Sequence, residues 1–198
     1  MERCILANLS RRCTPHSIEM PGYRRIKHPG GTMTSNDARL SEALDYLDIR
    51  RIQNRYADIV TRRAWAELHE IMRPTCRLEL NLGDSTMSFD GPGAIGDFIG
   101  DQLIQFSFFE FVILNTVIDV NIETGVAGAR MYMQELRQNV SDGRRTNAYG
   151  VYHDRFERHD GTWWIANRKY GSFSRTAIDG PKNEQVVFPL PEFDLRSL

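Results

Sequence analysis

Two tyrosines, an aspartate and an arginine have the types and spacing for chemistry in an apolar setting. Tyr56 lies on the apolar stripe of a helical pattern, beside Ile52, Ile59 and Val60. Tyr152 and Asp154 share one face of a β pattern with Gly150, because strand side chains alternate; His153 then points the other way. A buried phenol keeps its ring in an apolar wall while its hydroxyl seeks a hydrogen bond. Asp154 is the remaining carboxylate candidate for a base. It has a competing structural use as partner of Arg168 or Arg130, and a carboxylate paired to arginine makes a poor base.

Other chemistries find little support. His69 and His159 fall on a short helix and in a turn, and His16 and His28 in the N-terminal arm; no pair has metal-ligand spacing. Cys4, Cys13 and Cys76 form neither a CxxC motif nor an even set, which argues against zinc and against a disulfide framework. Gly91-Pro92-Gly93 lacks the third glycine and the βα context of a dinucleotide fingerprint. Basic and aromatic residues are not interleaved as an RNA-binding sheet requires. No metal, cofactor or nucleic-acid partner is expected.

The elements that must position these residues are legible in the pattern. Leu40, Ala43, Leu44, Leu47, Ile52, Tyr56, Ile59 and Val60 predict a helix from about Asp37 to Arg62, with Ser35, Asn36 or Asp37 as cap. A short helix carries Trp65, Leu68, Ile71 and Met72 and ends before Pro74. Residues 77–82 alternate as a half-buried strand, and 86–89 return after a Gly83-Asp84 turn. Gly91-Pro92-Gly93 breaks the chain before a helix over 94–104. The second half reads as four long strands, over 108–122, 126–139, 146–158 and 162–173, with hairpin turns at Asp142-Gly143 and Asp160-Gly161. Helices first and strands after predict an α+β domain. Four long antiparallel strands must curl, and the helices then cover the concave face of a cone enclosing a pocket.

The 198 residues suit one domain with tails: a disordered basic extension over 1–36, the domain over 37–175 and a C-terminal tail over 176–198. Net charge is −1, but residues 1–33 carry six basic residues against two acidic ones. Such an arm can touch phosphate or an acidic partner, although an unstructured extension accounts for it. Met33 is an alternative start. The first 21 residues lack the apolar region of a secretory signal, and no apolar run approaches the length of a membrane span. A cytoplasmic protein with no membrane partner is expected.

The chain resembles the nuclear transport factor two-like superfamily, in particular its SnoaL-like branch, over about 37–175. The carriers are the helix pattern over 49–65, Gly91-x-Gly93-Ala94-Ile95, Asn115-Thr116-Val117-Ile118-Asp119, and Tyr152-x-Asp154-x-x-x-Arg158-x-Asp160-Gly161-x-Trp163. The superfamily includes ketosteroid isomerase, scytalone dehydratase, hexachlorocyclohexane dehydrochlorinase, polyketide cyclases and binding proteins without catalysis, so the fold does not fix the function. The resemblance implies a His–Asp dyad, but the aspartate position falls on Thr61 and the histidine position on Phe111. The isomerase's aspartate base falls on Leu80, and neighbouring Glu79 should face the other side of the sheet. Its oxyanion donors fall on Tyr56 and Tyr152, and a pocket-lining arginine of the dehydrochlorinase falls on Arg168.

The expectation is a hydrophobic pocket for a small polycyclic, steroid- or polyketide-like molecule. Tyr56, Tyr152, Asp154 and Arg168 are the catalytic candidates, and Thr61, Leu80, Phe98, Phe111, Asn115 and Tyr132 the substrate-binding ones. Met72, Met133 and either Met131 or Tyr132 complete the apolar set, most of it core; methionines suit an adaptable wall. The activity expected is that of a cofactor-independent lyase, isomerase or cyclase. The alternatives are a non-catalytic binding or dimerisation module, since both dyad positions are lost, and the small subunit of a ring-hydroxylating oxygenase. The resemblance also implies a homodimer formed through the convex sheet face.

Overall fold

A computed structural model describes residues 34–177 and 184–195. The expected 1–36 extension, with Cys4, Cys13, His16 and His28, therefore lies outside the described residues up to position 33.

Helix α1 spans Ser35–Arg62. Its cap is Thr34, one residue before the three candidates: the Thr34 hydroxyl accepts from the Asp37 N–H at 3.2 Å, and the Asp37 carboxylate accepts from the Thr34 N–H at 3.3 Å. Arg63, in the left-handed region at φ 60°, ends it. Ile49, Gln53, Tyr56, Ile59 and Val60 are its buried face. The next segment forms only a 3-10 helix, Trp65–Glu70.

Strand β1 (Met72–Asn81) begins earlier than the alternation suggested and contains Pro74. The proline is tolerated because its pairing with β6 is interrupted between Met72 and Arg77, where no ladder donor is required. Strand β2 (Thr86–Asp90) follows. Helix α2 (Gly91–Leu103) opens on the Gly-Pro-Gly segment instead of following it. Pro92 sits in the first turn, where its missing N–H costs nothing.

The second half supplies β3 (Phe106–Asn121), β4 (Val126–Asn139), β5 (Arg145–His159), β6 (Thr162–Thr176) and a short β7 (Gln185–Val187) within the expected tail. The order is β2-β1-β6-β5-β4-β3, with β7 paired to β6. All pairs are antiparallel except β1 with β6. The sheet is curved and unclosed, and α1 and α2 pack on its concave face, as expected for an α+β cone.

One clamp fixes α1 to the β5–β6 hairpin. The buried Asp45 carboxylate accepts from Arg158 at 2.8 and 3.0 Å and from the Trp163 indole N–H at 2.8 Å. The Arg158 and Trp163 positions of the hairpin motif thus have a structural use.

Candidate functional site

The concave face and the helices form a cavity of about 810 Å³ that opens toward the β4–β5 turn. Tyr56 and Val60 of α1, Leu78 and Leu80 of β1, Phe98 and Ile99 of α2, Phe109 and Phe111 of β3 and Tyr152 of β5 line its apolar part. The end of α2 and the β4–β5 turn border it with polar residues, among them Gln102, Asn139 and Asp142.

The two phenols meet on this wall. The Tyr56 and Tyr152 hydroxyl oxygens are 3.4 Å apart, and both side chains are buried. Phe111 packs edge-on against Tyr56, with centroids 5.5 Å apart. Behind them, outside the cavity lining, lies Arg168. Its guanidinium carbon sits 3.8 Å from the Tyr56 ring centroid and 4.1 Å from that of Tyr152, so the cation is stacked between both rings. Nε and Nη2 each donate to Asp154 at 2.8 Å. Arg168 and Asp154 are fully buried.

Electrostatics follow from that geometry. Burial pushes the Tyr56 phenol above its ordinary pKa, although nearby Arg168 opposes the shift. Tyr152 is pushed higher still by burial, with Tyr56 adding to it. Both phenols are therefore neutral donors at any ordinary pH. Burial alone would lower the Arg168 pKa, but the Asp154 carboxylate and the two tyrosines outweigh it and hold the guanidinium charged.

The sequence-derived candidates thus divide. Tyr56, Tyr152, Leu80, Phe98 and Phe111 line the cavity; Asp154 and Arg168 stand behind it; Thr61, Asn115 and Tyr132 do not line it. The Thr61 hydroxyl accepts from the Phe111 N–H at 3.1 Å and ties α1 to β3. Asn115 is exposed, because an irregularity in the β3–β4 register between Ile113 and Asn115 inverts the pleat. Phe109, Phe111 and Ile113 face inward before it; after it, Thr116 takes a hydrogen bond from Gln53 of α1 at 3.1 Å. Tyr132 alternates with the fully buried Met131 and Met133, so it lies on the opposite face, against Phe173.

The lining residues that the candidate set missed include Glu135, Arg137 and Tyr170. Glu135 and Arg137 continue the inward alternation of Ala127, Ala129, Met131 and Met133 along β4, and Tyr170 follows Arg168 along β6. Period two was the available signal. Glu135 has the unusual environment. Burial raises its carboxyl pKa, while Arg137, with Nη1 at 3.4 Å, opposes the shift only in part. Cys76 is buried and its thiol is pushed up to about 12 by desolvation, which makes it inert. Among the described residues no cluster of His, Cys, Asp or Glu is arranged to hold a metal ion, and no helix is long and apolar enough to cross a membrane.

A curled sheet and N-terminal helices packed around a cavity define a nuclear transport factor two-like protein. The chain belongs to the SnoaL-like domain family, whose profile matches residues 41–169. Solved structures agree on the fold. A protein described as a scytalone dehydratase from Novosphingobium aromaticivorans superposes with a TM-score of 0.63 at 17% identity, covering 79% of this chain and 99% of that one. The hexachlorocyclohexane dehydrochlorinase LinA-type3 from Novosphingobium barchaimii gives 0.62 at 17% identity, with 77% and 99% covered. A nuclear transport factor two-like protein with a cystatin-like fold from Novosphingobium aromaticivorans gives 0.58 at 20%, with 76% and 94% covered. No curated protein matches this sequence.

Proposed function

We propose that this SnoaL-like protein binds a small polycyclic, steroid- or polyketide-like molecule and acts on it as a cofactor-independent lyase or isomerase through an enol or enolate. The observation that carries the reading is the pair of neutral phenols, 3.4 Å apart, on the wall of a largely apolar cavity of about 810 Å³. That volume suits a drug-sized ligand. A ligand carbonyl oxygen takes the place of the long hydroxyl–hydroxyl contact and accepts from both phenols. Arg168 acts through the rings: its charge favours an oxyanion at the hydroxyls, and Asp154 fixes its position. Dehydratase and dehydrochlorinase structures among the neighbours are consistent with chemistry of this type in the fold.

Binding without chemistry is the second reading. Its support is that Thr61, Leu80 and Phe111 stand where the family's bases fall, and that Asp154 is committed to Arg168.

The test is a thermal-shift and native mass-spectrometry screen over steroids, terpenoids and aromatic polyketides. A ligand at a hundredfold its Kd stabilises by about 2.7 kcal/mol. Tyr152→Phe should weaken ketone ligands by about 1 kcal/mol, roughly fivefold, and leave hydrocarbons of the same shape unaffected. Equal weakening of both classes sinks the carbonyl role of the phenols. Turnover of a ligand by the wild type decides between the two readings.

A further inference from the structure

We propose that Glu135 is the proton-transferring group of this cavity, taking a proton from a carbon activated by a ketone whose oxygen is held by Tyr56 and Tyr152. The inference rests on the reading of the phenols given above and supplies the base that reading lacks.

Two carboxylates are among the cavity-lining residues, Glu135 and Asp142. Asp142 is exposed in the β4–β5 turn and accepts from the Arg144 N–H at 2.9 Å, so it caps the turn. Glu135 lies on the inward face of β4, opposite Phe111 of β3 and Ala148 of β5. Its bond with Arg137 is the opposite of the Asp154–Arg168 pair. Asp154 takes two 2.8 Å bonds from two nitrogens, whereas Glu135 receives Arg137 Nη1 at 3.4 Å. The other terminal nitrogen, Arg137 Nη2, donates to the Asn147 carbonyl at 2.8 Å. One carboxylate is locked and the other is loosely held, which is the difference between a structural ion pair and a group free to exchange a proton. Burial raising the Glu135 pKa agrees with this, since it makes the carboxylate a stronger base than an ordinary glutamate.

The space between the phenols and Glu135 is also built. Gly150 lies between Tyr152 and Ala148 on β5, and its missing side chain is replaced by the Tyr170 ring. A Cβ there would sit 2.2 Å from a Tyr170 ring carbon and 2.5 Å from its hydroxyl. Tyr170 packs on Tyr152 with centroids 4.9 Å apart. Phenols thus run from Tyr56 through Tyr152 and Tyr170 toward Glu135, along an otherwise apolar wall. The Glu135 charge acts on both the Tyr56 and the Tyr170 phenols, so base and oxyanion donors share one end of the cavity. A fused-ring enone held by the phenols offers that carboxylate a proton conjugated with its carbonyl. The C–H bond breaks and its electron pair becomes the dienolate, whose oxygen the phenols hold. The proton rests on the Glu135 carboxylate until it returns to carbon.

The experiment uses octalone, a two-ring enone, and a four-ring steroid enone as probes. Binding is read by thermal shift, and exchange of the conjugated C–H protons in deuterated buffer by proton NMR. Expected is exchange by the wild-type protein, and for Glu135→Gln an unchanged thermal shift with exchange slower by about a hundredfold or more. Exchange at the wild-type rate in Glu135→Gln, or wild-type binding with exchange no faster than buffer, overturns the role of Glu135 and leaves the pocket reading standing. No thermal shift with either probe overturns the pocket reading and this inference with it. If Glu135→Gln does not fold, carbon-13 NMR titration of the wild-type carboxylates decides. A carboxyl titrating above the ordinary glutamate range that Tyr170→Phe displaces supports the assignment, and its absence overturns it.

Discussion

Arg168 concentrates charge, hydrogen bonds and ring contacts in one buried side chain. It is fully buried, bonded twice to Asp154 and stacked between Tyr56 and Tyr152. Two buried charges cost desolvation, and a well-formed pair returns roughly that cost; removing one partner is a different matter. Asp154→Asn leaves the guanidinium uncompensated in an apolar core and should destabilise the protein by about 3–5 kcal/mol in denaturant unfolding. The double variant Asp154→Leu with Arg168→Met removes both charges and should recover a large part of that loss. Should the double variant be as unstable as the single one, the pair contributes packing that apolar groups do not replace.

At the scale of elements, the β5–β6 hairpin sets the cavity wall. Gly150 on β5 is required by a close approach and not by an unusual φ: the Tyr170 ring fills the place of its side chain. Gly150→Ala forces that ring aside. The expected result is a loss of about 1–3 kcal/mol, as for other overpacked sites, and a changed ligand range. Calorimetry together with the thermal-shift panel checks both. An alanine tolerated without either change would mean that Tyr170 has room to move.

At the scale of the whole molecule, the C-terminal segment packs on part of the sheet face opposite the cavity. The Phe193 ring stacks on His153 at 3.7 Å, Pro191 approaches Gly171, and the Phe193 carbonyl accepts from Arg130. Burial, with Arg130 and Lys169 nearby, lowers the His153 pKa to about 4. The folded state thus disfavours the imidazolium. This contribution is fully present above the ordinary histidine pKa of about 6.5 and is lost as pH falls toward the folded value. Between about pH 7 and pH 5 the loss is about 2 kcal/mol. Phe193→Ala should expose the ring, raise its pKa toward the ordinary range and flatten the slope. Denaturant midpoints at the two pH values and an NMR titration of His153 check this; an unchanged slope would place the cause in Arg130 and Lys169.

Periodicity in the sequence determined most of the fold. The stripe of α1, the alternation of the four long strands and the hairpin turns follow from local rules that hold wherever one face of an element is buried. The same rule placed Tyr56 and Tyr152 on inward faces, and its continuation reaches Glu135. Three things needed the tertiary structure. The irregularity near Asn115 inverts the pleat and turns that residue outward, because one extra residue reverses every later side chain. Asp154 had two candidate arginines, and only packing across β5 and β6 pairs it with Arg168. Pro74 reads as a helix stop, yet it lies in a strand because the neighbouring pairing is interrupted there. Local pattern fixes which face a side chain occupies; which partner waits on that face is decided by residues distant in the chain.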